Sequence, residues 1–389
     1  MTAHDPTDPF DFPLEQLRRR RSAKWTRIDP DALPLWVAEM DVHLAEGIRS
    51  RLQEALDLSD TGYSGDPTRM KDAFASFARD VWDWDPDPAR MTAYPDLAAS
   101  GVAALAHFAG DDRRAVLCPP VYNAFTFWFQ DAGVTPVEVP LITGAEDPGA
   151  PDLAGIERAF ADGVRVALIS SPHNPLGRLW RREELSRLAQ IAAAHDAVVI
   201  ADEIHAPLTH PGHEFVPYLS VSEDARRTGI ALHSASKGWN LAGLKASLTV
   251  ETADGPRLPH SSEVEYSIGL FGLLAAEAAF SDGRDWLENV RACIAERAAH
   301  VAARLKAELP AAGLTVPEAG YLMWIDLREV LPDEDRPAHL IHRRSGLFLS
   351  PGHTFGTPGR GHVRLNLATS WTILDDAIDR LVAAVNPAR

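Results

Sequence analysis

The chain has 389 residues, 38 basic and 55 acidic, for a formal charge of −17; the length asks for two lobes, and the acidity excludes a broad grip on a nucleic-acid backbone. Two distant cysteines, Cys118 and Cys293, exclude a disulfide framework or a cysteine-based zinc motif. No run approaches the ~20 apolar residues of a membrane span and no signal-peptide pattern opens the chain, so a cytoplasmic protein with no nucleic-acid or membrane partner is expected.

Residues 1–45, rich in Pro, Asp and Arg and ending in "LPLWVAEMDV", read as an extended arm with one apolar anchor. Helical patterns follow at 46–58 and 68–80, then a Gly/Ala-rich helix at 97–109. Short apolar runs come next: "AVLC" (115–118), "VTPVEV" (134–139), "RVALIS" (165–170), "AVVIAD" (197–202) and "GIAL" (229–232). Between the third and fourth runs, Leu185, Leu188 and Ile191 repeat at helical spacing. Such alternation predicts crossover units and a mainly parallel sheet buried on both faces. After about residue 275 the pattern changes. A long Ala/Arg-rich helix, 283–309, leads to "YLMWIDL" and "HVRLNLA", a smaller α+β lobe. The expected division is an N-terminal arm (1–45), a large domain (46–278) and a small C-terminal domain (279–389).

Ligands of parallel sheets bind at the carboxyl ends of the strands, so the polar residues just after each run carry the functional question. After "VALIS" comes a turn-forming stretch with Asn174; after "VVIA" come Asp202, Glu203 and His205; after "IALH" come Ser234, Ser236 and Lys237, with Lys245 eight positions on. Each residue alone has an ordinary explanation. Most lysines are exposed, and Asn and Asp are common turn formers. His205, His210 and His213 are interrupted by Pro207 and Pro211, a spacing that places no ligand set on one helix face, and no metal is expected. Taken together, an amide, a carboxylate and a lysine converge from three strand ends. Pyridoxal phosphate needs that set: an amine for its aldehyde, a carboxylate for its pyridine nitrogen, a donor for its phenolic oxygen and a cup for its phosphate.

The ordered motifs "NP-x-G", "DE-x-H" and "S-x-S-K" resemble the fold-type I pyridoxal-phosphate enzymes, which implies the aspartate-aminotransferase-like α/β fold: a mainly parallel, seven-stranded-type sheet in the large domain plus the smaller α+β domain. Further segments, "KWTR", "LPLWVAEMDV", "TGYSGD", "PPVYNAF", "SPHNPLGRLW", "ADEIHAPL", "SASKGWNLAGLK", "YLMWIDLR" and "HVRLNLA", look like the MalY/PatB branch of cystathionine β-lyases and cysteine C–S lyases. The matches run from residue 24 to about 368.

The resemblance implies roles residue by residue. Lys237 is the Schiff-base lysine that also moves the Cα proton; Asp202 pairs with the pyridine nitrogen; Asn174 faces the phenolic oxygen with His205 nearby. Tyr122 stacks on the ring and is grouped with Lys237 as catalytic. Ser234, Ser236 and Lys245 hold the phosphate, with the backbone of Leu97 and Ala98 at a helix start. Tyr63 reaches the neighbouring subunit's phosphate, which implies a homodimer with shared sites. Arg364 binds the substrate α-carboxylate as a fork, with Trp36 and Tyr63 as further substrate contacts, although tryptophans such as Trp25, Trp36 and Trp324 more often anchor packing. The chain departs from the branch at Glu39 (usually Asp), Gly320 (usually Thr) and Thr369-Ser370-Trp371 (usually Cys-Pro-Arg).

The cofactor motifs serve two reactions alike. β-Elimination from a cysteine S-conjugate gives thiol, pyruvate and ammonia; transamination uses the same groups. The resemblance favours the lyase, with an aminotransferase of classes I and II as the alternative. A regulatory protein with secondary catalysis is the third reading. The expected small-molecule partner is an amino-acid substrate.

Overall fold

The computed structural model describes residues 8–143 and 147–386. Its twelve strands are β1 (Leu33–Leu35), β2 (Met91–Tyr94), β3 (Arg114–Leu117), β4 (Thr135–Glu138), β5 (Val166–Ser170), β6 (Val198–Asp202), β7 (Gly229–His233), β8 (Ser247–Val250), β9 (Gly313–Thr315), β10 (Leu322–Asp326), β11 (Leu347–Pro351) and β12 (His362–Asn366). Seven form one sheet in the order β2-β8-β7-β6-β5-β3-β4 and five a second in the order β1-β11-β12-β10-β9. In the larger sheet β8 alone runs antiparallel to its neighbours; the rest is parallel.

Successive side chains of a strand face opposite sides, and here both sides are dry. Ala167, Ile169, Val199 and Ala201 join one apolar cluster, whereas Val166, Leu168 and Ile200 join another on the opposite face. This is why those strands read as unbroken apolar runs. Each fully buried aliphatic side chain contributes about 1.5–3 kcal/mol. The smaller sheet packs Met323, Ile325, Leu349 and Leu365 against the helices Arg284–Glu308 and Trp371–Val385.

The arm is not merely extended. It forms short helices at Leu14–Leu17 and Ala23–Thr26, and β1 pairs in parallel with β11, so it supplies an edge strand to the smaller sheet. Lys24 is fully buried and donates to Asp41 Oδ2 at 2.6 Å, a pair that would leave an uncompensated charge if either partner were lost. We propose the division into arm, large domain and small domain on these two sheets, with the break at Gly283, because the helix Leu270–Asp282 packs against the helices Glu46–Asp57 and Thr68–Trp82 of the larger unit.

The departure at Thr369-Ser370-Trp371 has a packing role. Ser370 caps the last helix by accepting from the Ile373 N–H, and the Trp371 ring lies 4.4 Å from the Arg297 guanidinium. Arg297 in turn donates to Thr369 O at 2.8 Å and pairs with Asp8 at 2.6 Å, fixing the arm.

Candidate active site

The carboxyl ends of β5, β6 and β7 open on a cavity of about 220 Å³. Asn174, Asp202, His205, Ser236, Lys237 and Lys245 all line it, as do Asp96, Leu97, Ala98, Tyr122 and Trp128. Thus ten of the site residues expected from sequence (Asn174, Asp202, His205, Ser236, Lys237, Lys245, Leu97, Ala98, Tyr122 and, by the contacts below, Arg364) meet in one place.

Lys237 sits on a one-turn helix, Ala235–Gly238, capped by Ser234. Burial, then the nearby Arg364 charge, lower its ammonium pKa to about 8, against the opposing pull of Glu39 and Asp202. Its Nζ donates to Ala38 O at 2.9 Å. Asp202 ends β6 with one oxygen accepting from Ile204 N at 3.1 Å, and burial pushes its carboxyl up to about 7. No ion pair of Asp202 occurs among the described residues, so this is a buried acid suited to a cationic partner. His205 is buried too; desolvation, then the charges of Lys237 and Arg364, hold it down to about 3, which makes it a neutral ring.

At the other end of the cavity the helix Leu97–Phe108 begins. Its cap, Asp96, accepts from Ala99 N at 2.9 Å and pairs with Lys245 at 2.8 Å. The Ala98 N–H also leans on Asp96, and the first N–H groups of this helix have no intrahelical partner, so the Leu97–Ala98 turn is a place where an anion could sit. Gly101 is obligatory here, because a Cβ would overlap the Trp128 ring that lines the same cavity.

Arg364 on β12 is buried, and burial lowers its pKa to about 10, so it stays charged at neutral pH. Its Nη1 donates to Asn174 Oδ1 at 3.0 Å and its Nη2 to Trp36 O at 2.9 Å and Ser350 Oγ at 3.1 Å. The Nε–H is buried and meets no partner among the described residues. An unpartnered buried donor on a guanidinium is costly, and a carboxylate oxygen would satisfy it. Phe355 lies beneath the guanidinium, 4.8 Å away.

Two expectations are corrected, those for Trp36 and Ser234, and the position of a third residue, Tyr63, is that of a group facing away from its own chain's cavity. The Trp36 indole turns from the cavity: its Nε1 donates to Lys24 O and its ring meets Phe348 edge-on, so residue 36 serves the site through its carbonyl. Ser234 does not line the cavity; its hydroxyl donates to Ala246 O at 2.6 Å, accepts from Ser236 N and lies 2.8 Å from the Ser236 hydroxyl, which leaves Ser236 as the lining residue. Tyr63 is 93% exposed, outside this cavity.

Sequence reasoning missed Ala38, Ser350, Tyr321 and Trp128. Ala38 acts through a main-chain carbonyl that accepts from both Lys237 and the Tyr321 hydroxyl at 2.8 Å. No side-chain pattern announces such a contact. Tyr321 opens the motif "YLMWIDL", which drew notice as a segment and not for its first residue.

Three comparisons bear on this site. The family model described as aminotransferase class I and II matches residues 68–381. The chain belongs to that family. Within it, the chain is 33% identical to the cystathionine β-lyase of Corynebacterium glutamicum, over 96% of this chain and all of the relative. It is 31% identical to the cystathionine β-lyase PatB of Bacillus subtilis, over 97% of this chain and all of that protein. Among solved structures, a Corynebacterium diphtheriae protein assigned as a PLP-dependent β-cystathionase superposes with a TM-score of 0.91 at 31% identity, covering 97% of this chain and 99% of the other. Treponema denticola cystalysin, whose structure contains pyridoxal 5′-phosphate, shares the fold with a TM-score of 0.86 at 22% identity, covering 96% and 98%.

Proposed function

We propose that this protein is a pyridoxal-phosphate-dependent carbon–sulfur β-lyase, which cleaves cystathionine or a related cysteine S-conjugate to a thiol, pyruvate and ammonia. The residues present fit the cofactor. Asp202 is a buried acid with no ion pair among the described residues, Lys237 is a buried amine, and the Leu97–Phe108 helix start with Lys245 and Ser236 forms an anion cradle in the same cavity. Asp202 would face the ring nitrogen, Lys237 the aldehyde, Asn174 and His205 the phenolic oxygen and Tyr122 the ring face. When bound, the cofactor supplies an electron sink for charge developing at the substrate Cα.

The chain's own groups do the rest. Arg364 holds the α-carboxylate through its free Nε–H and its fork, which orients the Cα–H bond. A buried amine with a pKa near 8 is poised as a general base near neutral pH, so Lys237 takes the Cα proton. A neutral His205 neither repels Lys237 nor competes for that proton. With charge at Cα, a thiolate at Cβ departs, and Lys237 is the acid at hand to protonate it.

The orphaned Arg364 Nε–H is the observation that carries an amino-acid substrate; the near-full-length likeness to cystathionine β-lyases supports elimination over transamination. The holoenzyme is expected to release pyruvate stoichiometrically with thiol from cystathionine with no added keto acid. Amino transfer from cystathionine to an added keto acid, with no thiol or pyruvate released, would make the protein an aminotransferase. We further propose a homodimer: an exposed tyrosine between glycines, Gly62-Tyr63-Ser64-Gly65, is available to a second copy's phosphate cradle. Sedimentation of the holoenzyme at twice the chain mass is the expected result, and a monomer at micromolar concentration would remove Tyr63 from the site.

A further inference from the structure

β6 ends at Asp202 and β7 at His233, and the last residue pair between them is Asp202 with Leu232. One further main-chain bond, from Glu203 N–H to Leu232 O at 3.0 Å, closes the ladder. Side chains alternate across a strand. Asp202 therefore faces the cavity, while Glu203 and His233 face the opposite side of the sheet with Ala201 and Ala231.

There the two side chains meet. His233 Nε2 lies 2.9 Å from Glu203 Oε2, oblique to hydrogen-bond geometry, and neither atom has another partner among the described residues. The second carboxylate oxygen, Oε1, accepts from Tyr218 N–H at 2.7 Å. Both residues are fully buried. The imidazole is boxed by rings: Trp82 stacks on it at 5.6 Å, Phe74 lies at 4.7 Å and Trp84 at 5.6 Å.

A buried ion pair adds little net stability over apolar side chains of similar volume, whereas losing one partner strands the other. The core on this face is otherwise apolar, with Ala167, Ile169, Val199 and Ala201 as its strand residues. Stability therefore does not account for the pair. Its place does. Glu203 follows Asp202 directly, and His233 directly precedes Ser234, the cap of the one-turn helix that carries Lys237. The contact fastens the two chains just past the last rung of the ladder, where each departs for the site. A shift of about 1 Å at a reacting centre can cost on the order of 10²-fold in rate.

We propose that Glu203 and His233 are a positioning pair: joined behind the sheet, they set the separation of Asp202 and Lys237 across the cofactor. The inference rests on the placing of the cofactor between those two groups, and not on which reaction follows.

Three variants test it: His233→Phe, His233→Gln and the double variant Glu203→Gln with His233→Phe. For each, four quantities are measured: the melting temperature, the dissociation constant of the apoprotein for pyridoxal phosphate, and kcat and KM of the holoenzyme for cystathionine. His233→Phe fills the box of rings but strands a buried carboxylate. It should melt lower, bind cofactor about 10-fold more weakly and lose about 10²-fold in kcat, with KM little changed because Arg364 is untouched. The double variant removes the stranded charge and keeps an acceptor for Tyr218 N–H, yet cannot rejoin the strands. Its melting temperature should recover while the losses in affinity and kcat remain. His233→Gln, whose amide can reach Glu203 Oε2, should keep both within a few-fold of wild type. Recovery of affinity and kcat along with melting temperature in the double variant would reduce the pair to a packing element and overturn the assignment. So would a His233→Gln enzyme as impaired as His233→Phe. Borohydride separates this failure from that of the site reading: a label on another lysine removes the cofactor's placing and this inference with it. A label on Lys237 with wild-type affinity and kcat in the double variant removes this inference alone.

Discussion

Lys237→Ala holoenzyme is expected to lose at least about 10⁴-fold in kcat on any cysteine S-conjugate, because one side chain is asked both to remove the Cα proton and to return a proton to the leaving group. The loss should fall on kcat rather than KM, since the Arg364 fork and the phosphate cradle are untouched. Borohydride treatment of the wild-type holoenzyme should fix the cofactor to the peptide that contains Lys237, and to no peptide in the variant. The pH dependence follows from the amine. Its pKa is lowered to about 8, so the neutral, reactive form is populated above that value rather than above the ordinary 10.4 or so of a free lysine. At pH 7 this leaves about a tenth of the amine neutral, roughly 200-fold more than an unperturbed lysine would offer. Loading of the apoprotein with cofactor should therefore quicken with rising pH and level off above about 8. A profile still climbing at pH 10, or a label on another lysine, would remove Lys237 from its assigned place.

Arg364→Lys should lower kcat/KM by about 10²- to 10³-fold, the scale of losing one member of a buried, hydrogen-bonded charge pair. Charge is preserved in this substitution, so the effect isolates geometry. A lysine ammonium cannot keep Asn174, Trp36 and Ser350 as partners while presenting a further donor to a carboxylate. The loss should appear mainly in KM, and it should be as large for a small substrate as for a long one, because every α-amino acid carries the same carboxylate. A variant with near wild-type KM would mean that the buried Nε–H faces something other than substrate.

Much of the site was legible because its residues stand at the ends of parallel strands. Apolar runs dense enough to be buried on both faces mark where β5, β6 and β7 stop, and the next polar residues, Asn174, Asp202 and Lys237, fall at one edge by topology alone. The edge strand β2 and the reversed strand β8 escaped notice. Their sequences, "MTAY" and "SLTV", are four residues long and broken by hydroxyls, too short for any periodicity to show. The helices Phe125–Ala132 and Leu153–Ala161 were missed for a similar reason, being at most nine residues long. Within the site, the illegible part was main chain. Nothing about an alanine at position 38 says that its carbonyl holds a lysine, and nothing about Trp36 says that its oxygen, not its ring, meets Arg364. The serine pair shows the converse. Ser234 and Ser236 look interchangeable in sequence, and only the cap geometry of the Ala235–Gly238 turn separates the one that faces the cavity from the one that shapes the turn.

The strap from Trp36 to Asp41 grips Arg364 and Lys237 through peptide oxygens, which every residue type provides. The chemistry at Cα therefore places almost no demand on which side chains the strap carries, only on its length and path. A chain built this way can change the side chains of the strap, one substitution at a time, while its proton-transfer and carboxylate anchors stay in register. Inserting or deleting a single residue there would have the opposite consequence, dislodging both anchors together.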